Sequence, residues 1–131
     1  MPKRVLATPH APQTIGPYSV AVDAGDLVFL SGQVGLDPDT GQRAGEDVVS
    51  QAHRVMANIA GILSDVGLGM EDIVKSTIFL ADIADFGAVN DVYASFFETA
   101  PPARSTIQAA GLPAGFLVSI EVIAAKRDKE A

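Results

Sequence analysis

The chain contains no cysteine among its 131 residues. Disulfide bonds and thiolate metal sites are therefore excluded, and the absence fits a reducing compartment. No stretch of the sequence reaches the roughly 18 apolar residues of a membrane-spanning helix, and its basic start lacks the apolar core of a signal peptide. We therefore expect a cytoplasmic protein that does not enter a membrane.

Basic residues are also scarce. The chain has 9 Lys and Arg against 16 Asp and Glu, which gives a formal net charge of −7, and its basic residues form no cluster away from the chain ends. Proteins that bind nucleic acids need a basic surface to neutralise phosphates. The composition therefore argues against a nucleic-acid partner, while it still permits a local basic pocket.

The common motifs for cofactors, metals and activated nucleophiles are absent. The sequence contains no glycine-rich dinucleotide or phosphate loop, and no Gly-x-Ser-x-Gly motif for a serine nucleophile. Its 2 histidines, His10 and His53, lie far apart without ligand spacing around them. We expect neither a metal nor a cofactor.

What the chain does have is the composition of a folded domain. Hydrophobic residues make up 48% of it and charged residues 19%, a balance typical of globular proteins. A chain of this size buries enough surface for a hydrophobic core. We predict a single domain over residues 1–131.

Hydrophobic patterning predicts an α+β fold in the order β-β-β-α-β-α-β-β. Strands are expected near residues 5–7, 19–24, 27–34, 73–80, 104–109 and 117–125, and helices over 46–66 and from 86 to the prolines at 101 and 102. Gly61 inside the first helix indicates close packing on the sheet. The buried stripe of the second helix is predicted to consist of Phe86, Val89, Tyr93, Phe96 and Phe97.

Two helices can cover only one face of a mixed sheet of about six strands. In the last strand, one set of alternating residues suits the core beneath the helices: Val118, Ile120, Val122 and Ala124. The other set is still too apolar for water, although it contains Glu121: Leu117, Ser119, Glu121 and Ile123. The uncovered sheet face therefore predicts self-association.

Arg104 is the first candidate for chemistry. Pro101 and Pro102 end the preceding helix and fix the direction of the chain, so that Arg104 begins a strand. A buried arginine needs a partner, and its planar fork matches a carboxylate. That partner is either a protein acid such as Glu121, a group at a subunit contact, or a small anionic ligand.

Other polar residues have an ordinary and a functional interpretation. Glu121 is either a solvent-facing glutamate or a desolvated acid–base group between Ile120 and Val122. Tyr18, after a rigid Gly-Pro pair, is either a surface tyrosine or a ligand contact. The remaining candidates are Ser31 and Gly32 at a strand end and Asn90 on the second helix, for which packing or loop contacts are the alternatives.

The sequence resembles the reactive intermediate deaminase A family, RidA, also called the YjgF family, from about residue 9 to residue 125. Segments that carry the resemblance, in chain order, are Ile15-Gly16-Pro17-Tyr18-Ser19, Ser31-Gly32-Gln33, Asp37-Pro38-Asp39-Thr40-Gly41, Asp72-Ile73-Val74-Lys75, Pro102-Ala103-Arg104-Ser105 and Ile120-Glu121. The resemblance implies a chorismate-mutase-like subunit. It also implies a homotrimer whose sheets face inward, with three sites at the subunit clefts.

The activity implied by this resemblance is hydrolysis of reactive 2-enamine and 2-imino acids, such as 2-aminoacrylate, to 2-oxo acids and ammonia, without a cofactor. Arg104 matches the arginine that grips the substrate carboxylate, and Glu121 the acid that orients the attacking water. The positions that match the pocket lining are Tyr18, Ser31, Gly32 and Asn90. Thr106, expected to contact substrate, stands where several members carry cysteine. Val20 and Gly111 depart from residues common in the family.

Two other functions remain open at this point. A trimer with carboxylate-binding clefts also suits non-catalytic binding of 2-oxo acids or a chaperone-like role. A roomier pocket, for which the small Gly111 leaves space, would suit deamination of an aromatic-pathway enamine such as 2-aminomuconate. The acidic charge argues against the RNA-cleaving role that has been linked to the family.

Overall fold

The computed structural model describes residues 2–127, which form one mixed sheet covered by helices on one face. Its strands are β1 (Arg4–Val5), β2 (Ala21–Asp23), β3 (Leu27–Gln33), β4 (Ile73–Leu80), β5 (Ala103–Gln108) and β6 (Val118–Ala125). Its helices are α1 (Val48–Asp65) and α2 (Phe86–Ala94), with short 3-10 helices at Met70–Asp72, Ile83–Asp85 and Pro113–Gly115. The predicted element order is confirmed.

The six strands are arranged in the order β1-β2-β3-β6-β4-β5. Neighbouring strands are antiparallel except β4 and β5, which are parallel and are connected through α2. The last strand of the chain, β6, therefore lies in the middle of the sheet, and β5 lies at one edge. This arrangement places residues of β6 beside both β3 and β4.

Local sequence signals account for the ends of α1. Asp47 precedes the helix, and its side chain accepts a hydrogen bond from the backbone N–H of Ser50 at 2.8 Å. At the other end Gly67 has a φ of 80°, and the N–H of Leu68 donates to the carbonyl of Leu63 at 2.8 Å. This is the Schellman ending that the sequence predicts.

The core lies between the helices and one face of the sheet. The alternate residues Val118, Ile120, Val122 and Ala124 of β6 are buried there, as predicted. Glu121 is exposed on the opposite face. We call that opposite side the open face; its strand residues are Leu27, Phe29, Ser31, Lys75, Thr77, Phe79, Ser105, Ile107, Ser119, Glu121 and Ile123.

Two amides of α1 are buried despite their polar character. Gln51 donates from Nε2 to the carbonyl of Gly45 at 2.9 Å and accepts at Oε1 from the N–H of Leu117 at 2.8 Å. Asn58 donates from Nδ2 to the carbonyl of Leu36 at 2.9 Å. Each amide satisfies backbone groups of a loop that would otherwise be unpaired beneath the helix.

The predicted stripe of α2 is partly wrong. Val89 and Tyr93 are buried, but Phe86 is 42% exposed. Phe96 and Phe97 are partly buried, yet they follow the last helical residue, Ala94. The exposure of Phe86 has a reason in the site, since its ring lies beside Arg104.

Candidate functional site

Arg104 lies on the helix side of the edge strand β5. It pairs with Ser76 of β4 in the parallel register. Ser76 is fully buried under α2, and side chains at paired positions share a sheet face. Arg104 therefore points towards α2 and away from the open face.

Three residues of α2 surround the Arg104 guanidinium. Nη1 of Arg104 donates to Oδ1 of Asn90 at 2.8 Å. The guanidinium carbon lies 5.1 Å from the ring centroid of Tyr93 and 5.5 Å from that of Phe86, within the range of cation–π attraction. No salt bridge to Arg104 is found within residues 2–127. The Arg104 guanidinium is therefore held in place by neighbouring side chains, but no acidic side chain among the described residues neutralises its charge.

Thr106 lies two positions further along β5, on the same side of the sheet as Arg104. Its hydroxyl Oγ1 is buried and has no hydrogen-bond partner among the described residues. Buried hydroxyls are nearly always paired, so an orphaned one next to an arginine indicates a missing partner. We call Asn90, Arg104 and Thr106 the cationic group.

Glu121 lies on the other side of the sheet. It pairs with Thr77, the residue that follows Ser76 in β4, and its side chain is exposed on the open face. Because successive residues of a strand point to opposite faces, Arg104 and Glu121 point away from each other within one subunit. The ion pair between them that the sequence left open does not form in the chain.

Ser31 and Gly32 lie directly across from Glu121 in an irregularity of β3. The register runs from Leu30 opposite Val122 to Gln33 opposite Ile120, so β3 has one extra residue here. Ser31 donates from Oγ to the carbonyl of Ser19 at 2.6 Å. A Cβ at Gly32 would lie 2.9 Å from Oγ of Ser119, so a larger residue here would displace the Ser119 side chain or the strand.

Two neighbouring cavities meet at Ser31. One, of about 370 Å³, is lined by Ser31, Thr77 and Glu121 among others. The other, of about 600 Å³, is lined by Tyr18, Ser31, Gly32, Phe116 and Ser119 among others. We call Tyr18, Ser31, Gly32 and Glu121 the open-face group.

Residues 8–18, which lead to Tyr18 and which we call the arm, are anchored to the end of α1. His10 donates its backbone N–H to Oδ2 of Asp65 at 2.9 Å, and its ring Nδ1 lies 2.5 Å from Oδ1. Hydrogen bonding to Asp65 raises the pKa of His10. The arm crosses α1 at Gly61, where a Cβ would lie 3.5 Å from that of His10. The glycine therefore faces the arm, and the prediction that it packs on the sheet is wrong.

A family model described as Endoribonuclease L-PSP matches residues 8–126. The chain belongs to this family. The 2-iminobutanoate/2-iminopropanoate deaminase of Mus musculus is 44% identical over 93% of this chain and 90% of that protein. The predicted membership of the YjgF and RidA proteins is confirmed.

Solved structures of the family have the same fold. The YjgF gene product of E. coli is 40% identical with a TM-score of 0.90, covering 95% of this chain and 99% of that one. The structure of E. coli TdcF with bound serine is 39% identical with the same TM-score of 0.90 and the same coverage, 95% and 99%. The chorismate-mutase-like fold is thereby confirmed.

Part of the site in this family member was missed in the sequence. The apolar pattern predicts only a core role for Phe86 and Tyr93, although their spacing around Asn90 places all three on one side of a helix. Arg43, whose guanidinium lies 4.1 Å from the Phe116 ring centroid near the larger cavity, was not singled out.

The described residues offer no alternative centre built on a metal or a membrane helix. Within residues 2–127 there is no group of three or more His, Asp and Glu side chains that could hold a metal ion. No helix in that range is long and apolar enough to cross a membrane.

Proposed function

We propose that this protein hydrolyses reactive 2-imino acids and their enamine forms, such as 2-aminoacrylate, to 2-oxo acids and ammonia. One observation carries the proposal: Arg104 is fixed by Asn90 and two aromatic rings but has no carboxylate partner in residues 2–127. Such an arginine is a binding site for a small carboxylate. The deaminase name of the mouse relative supports this choice of substrate.

The Arg104 fork binds the substrate carboxylate. Asn90 accepts a hydrogen bond from Nη1, and no other hydrogen bond from this guanidinium is found in the described chain. Its remaining N–H groups are available for a carboxylate, at about 1.5–3 kcal/mol for each charge-assisted bond. The unpaired Thr106 hydroxyl lies on the same face and supplies a further hydrogen bond to the ligand.

Glu121 places and activates the water. Since Arg104 and Glu121 point to opposite faces of one sheet, a site that uses both takes Arg104 from one subunit and Glu121 from another. A homotrimer with open faces turned inward brings such pairs together. Exposed apolar side chains on that face, including Phe29 at 42% and Ile107 at 49% exposure, favour this assembly.

The reaction needs one acid–base group. The carbon of the protonated imine is already electrophilic, so water adds to it while the Glu121 carboxylate accepts one proton, and a carbinolamine forms. Glu121 returns that proton to the amino group, the C–N bond breaks as the hydroxyl becomes the carbonyl of the 2-oxo acid, and the hydroxyl proton leaves with ammonia as ammonium. General acid–base catalysis of this kind contributes about 10²–10⁴-fold. Tyr18, Ser31 and Gly32 line the cavities beside Glu121 and shape the space for the substrate.

The direct test is turnover of an imine made in the assay by a threonine dehydratase, with ammonia and 2-oxobutyrate measured. Arg104→Ala should lose turnover and 2-oxobutyrate binding together, whereas Arg4→Ala, at a side chain that is 73% exposed, should keep both. Glu121→Gln should lose turnover and keep binding, with Glu98→Gln as the exposed matched control. Wild-type rates in Arg104→Ala would remove the arginine from the mechanism.

A second candidate is non-catalytic binding of 2-oxo acids. It is favoured because Asn90 and Tyr93 of the same chain already hold the Arg104 guanidinium. Binding of a carboxylate there needs no acid–base group. Binding of 2-oxobutyrate by the wild-type protein without any acceleration of imine hydrolysis would select this function. Faster turnover of an aromatic-pathway enamine than of the 2-iminobutyrate would instead select the wider substrate class.

A further inference from the structure

Tyr93 is the most firmly held of the groups around Arg104. Its side chain is 5% exposed, whereas the Phe86 ring on the same side of α2 is 42% exposed. The Tyr93 ring centroid lies 5.1 Å from the Arg104 guanidinium carbon. The same Tyr93 ring centroid lies 4.8 Å from the centroid of the Phe97 ring. A buried ring with such contacts has one orientation, so it can define where the guanidinium lies.

The hydroxyl of Tyr93 is tied to the strand next to Arg104. It donates to Oγ of Ser76 at 2.9 Å, in the interior of the protein. Ser76 is fully buried and is the backbone register partner of Arg104. Three contacts therefore connect these residues in a closed circuit. Arg104 pairs with Ser76 in the sheet, and the Ser76 hydroxyl accepts a hydrogen bond from the Tyr93 hydroxyl. The aromatic face of Tyr93 in turn contacts the Arg104 guanidinium.

We propose that Tyr93 is a positioning residue for Arg104 and that the Ser76 hydroxyl acts through it. The ring face attracts the cation and restrains a long, flexible side chain, so the free N–H groups of the fork are directed towards a substrate carboxylate before it arrives. This inference rests on the proposed role of Arg104 and deepens it.

The charge of Arg104 also reaches the Tyr93 hydroxyl. Burial raises the pKa of Tyr93, and the Ser76 hydrogen bond and the Arg104 charge offset part of that rise. An ordinary core tyrosine would affect only the free energy of unfolding. A positioning residue must also change the behaviour of Arg104 and its affinity for a carboxylate, and these are the quantities to measure.

The first measurement is the dissociation constant for 2-oxobutyrate, by calorimetry. Tyr93→Phe and Ser76→Ala should each raise it about 3-fold, and the double variant should be no weaker than either single one because both changes remove the same hydrogen bond. Tyr93→Leu, which removes the ring, should raise it about 10-fold. Phe97→Leu is the matched control and should stay within about 2-fold, since leucine keeps an apolar side chain against Tyr93 and the rings over the Arg104 guanidinium are those of Phe86 and Tyr93.

The second measurement needs no ligand. Nitrogen-15 NMR of the Arg104 guanidinium, assigned by its loss in Arg104→Lys, should show slow rotation in the wild-type protein and in Phe97→Leu. Rotational averaging is expected in Tyr93→Leu. Should that variant fail to fold, the Tyr93→Phe and Ser76→Ala pair still decides: additive effects, or none, overturn the proposal.

The two measurements separate this inference from the proposed function. If the wild-type protein does not bind 2-oxobutyrate, the proposed function is wrong, while loss of slow rotation in Tyr93→Leu still supports positioning by Tyr93. If binding and turnover hold but Tyr93→Leu leaves both the guanidinium signals and the dissociation constant unchanged, the positioning role is wrong and the function stands.

Discussion

The cationic group and the open-face group differ in how much of their surroundings one chain supplies. Arg104 is held by a hydrogen bond and two rings from α2, a helix that ends nine residues before its strand begins. The Glu121 side chain makes no hydrogen bond or salt bridge within residues 2–127, and it lies on a face that no helix covers. Within the described chain Arg104 therefore has its positioning contacts, whereas Glu121 has none, and we propose that a neighbouring subunit supplies them.

The largest expected effect comes from combining the two groups across subunits. Arg104→Ala and Glu121→Gln should each be inactive alone. When the two variants are co-expressed and assemble at random in the trimers that we propose, about one quarter of the sites would pair an intact arginine with an intact glutamate. Turnover should therefore return to about a quarter of the wild-type rate per site.

The control for this experiment is Arg104→Ala assembled with the double variant, which offers no intact pair and should stay inactive. Hybrid trimers without activity, although both variants fold and exchange subunits, would mean that Arg104 and Glu121 do not act together across an interface. The cationic group and the open-face group would then not form one site between subunits.

A second prediction concerns the open face itself. Phe29→Asp places a charge on a strand surface that we propose is buried between subunits, and burying an unpaired charge costs several kcal/mol. We expect a monomer by size-exclusion chromatography with light scattering, together with loss of turnover. Val49→Asp is the matched control because Val49 is similarly exposed, 41% against 42%, but lies on α1.

A Phe29→Asp monomer that still turns over imine would show that one chain suffices. The same variant should keep the rings around Arg104, because Phe29 lies on the far side of the sheet. Its guanidinium should therefore still rotate slowly, which separates loss of assembly from loss of folding.

The fold could be predicted from local signals. The alternation in β6 separates the core residues Ile120 and Val122 from Glu121, and period-two patterns are readable over a few residues. The end of α1 at Gly67 and Leu68 was equally readable, because a Schellman ending depends on neighbours in sequence. These signals need no knowledge of the rest of the chain.

The arrangement of the site depends on long-range register, which no local pattern contains. Arg104 pairs with Ser76 and Glu121 pairs with the next residue of β4, Thr77, so the two side chains lie on opposite faces of the sheet. The burial of Gln51 depends on a partner, Leu117, that lies 66 residues away. Residue types and spacing indicate candidates such as Arg104 and Glu121, and the family resemblance favours their functional interpretation, but only the long-range register divides them between two faces of the sheet.

A smaller effect is expected at Gly32, within the open-face group. An added Cβ would meet Ser119 Oγ at 2.9 Å, so the Ser119 side chain or the bulge opposite Glu121 must shift. Gly32→Ala should lower turnover about 10-fold because it displaces the open-face group, and this loss corresponds to about 1.4 kcal/mol of transition-state stabilisation. Rotation of the Arg104 guanidinium should stay unchanged. Gly111→Ala is the control, since nothing lies within 4 Å of a Cβ there and, contrary to the expectation from the sequence, Gly111 lines neither cavity beside Ser31. Equal losses in both variants would point to a general effect of alanine.

The smallest effect is expected from Thr106→Val, which tests the cationic group alone. Valine keeps the shape of threonine but removes Oγ1, a buried hydroxyl with no partner in the described chain. Because leaving such a group unpaired costs about 1–3 kcal/mol, the free energy of unfolding should rise by about 1 kcal/mol in urea titrations. Affinity for 2-oxobutyrate should fall about 3-fold, as the ligand loses one hydrogen bond. The exposed Thr99→Val should change neither quantity. A less stable Thr106→Val protein with unchanged affinity would mean that the hydroxyl serves the fold or a neighbouring subunit, and the cationic group would then reduce to Arg104 and Asn90.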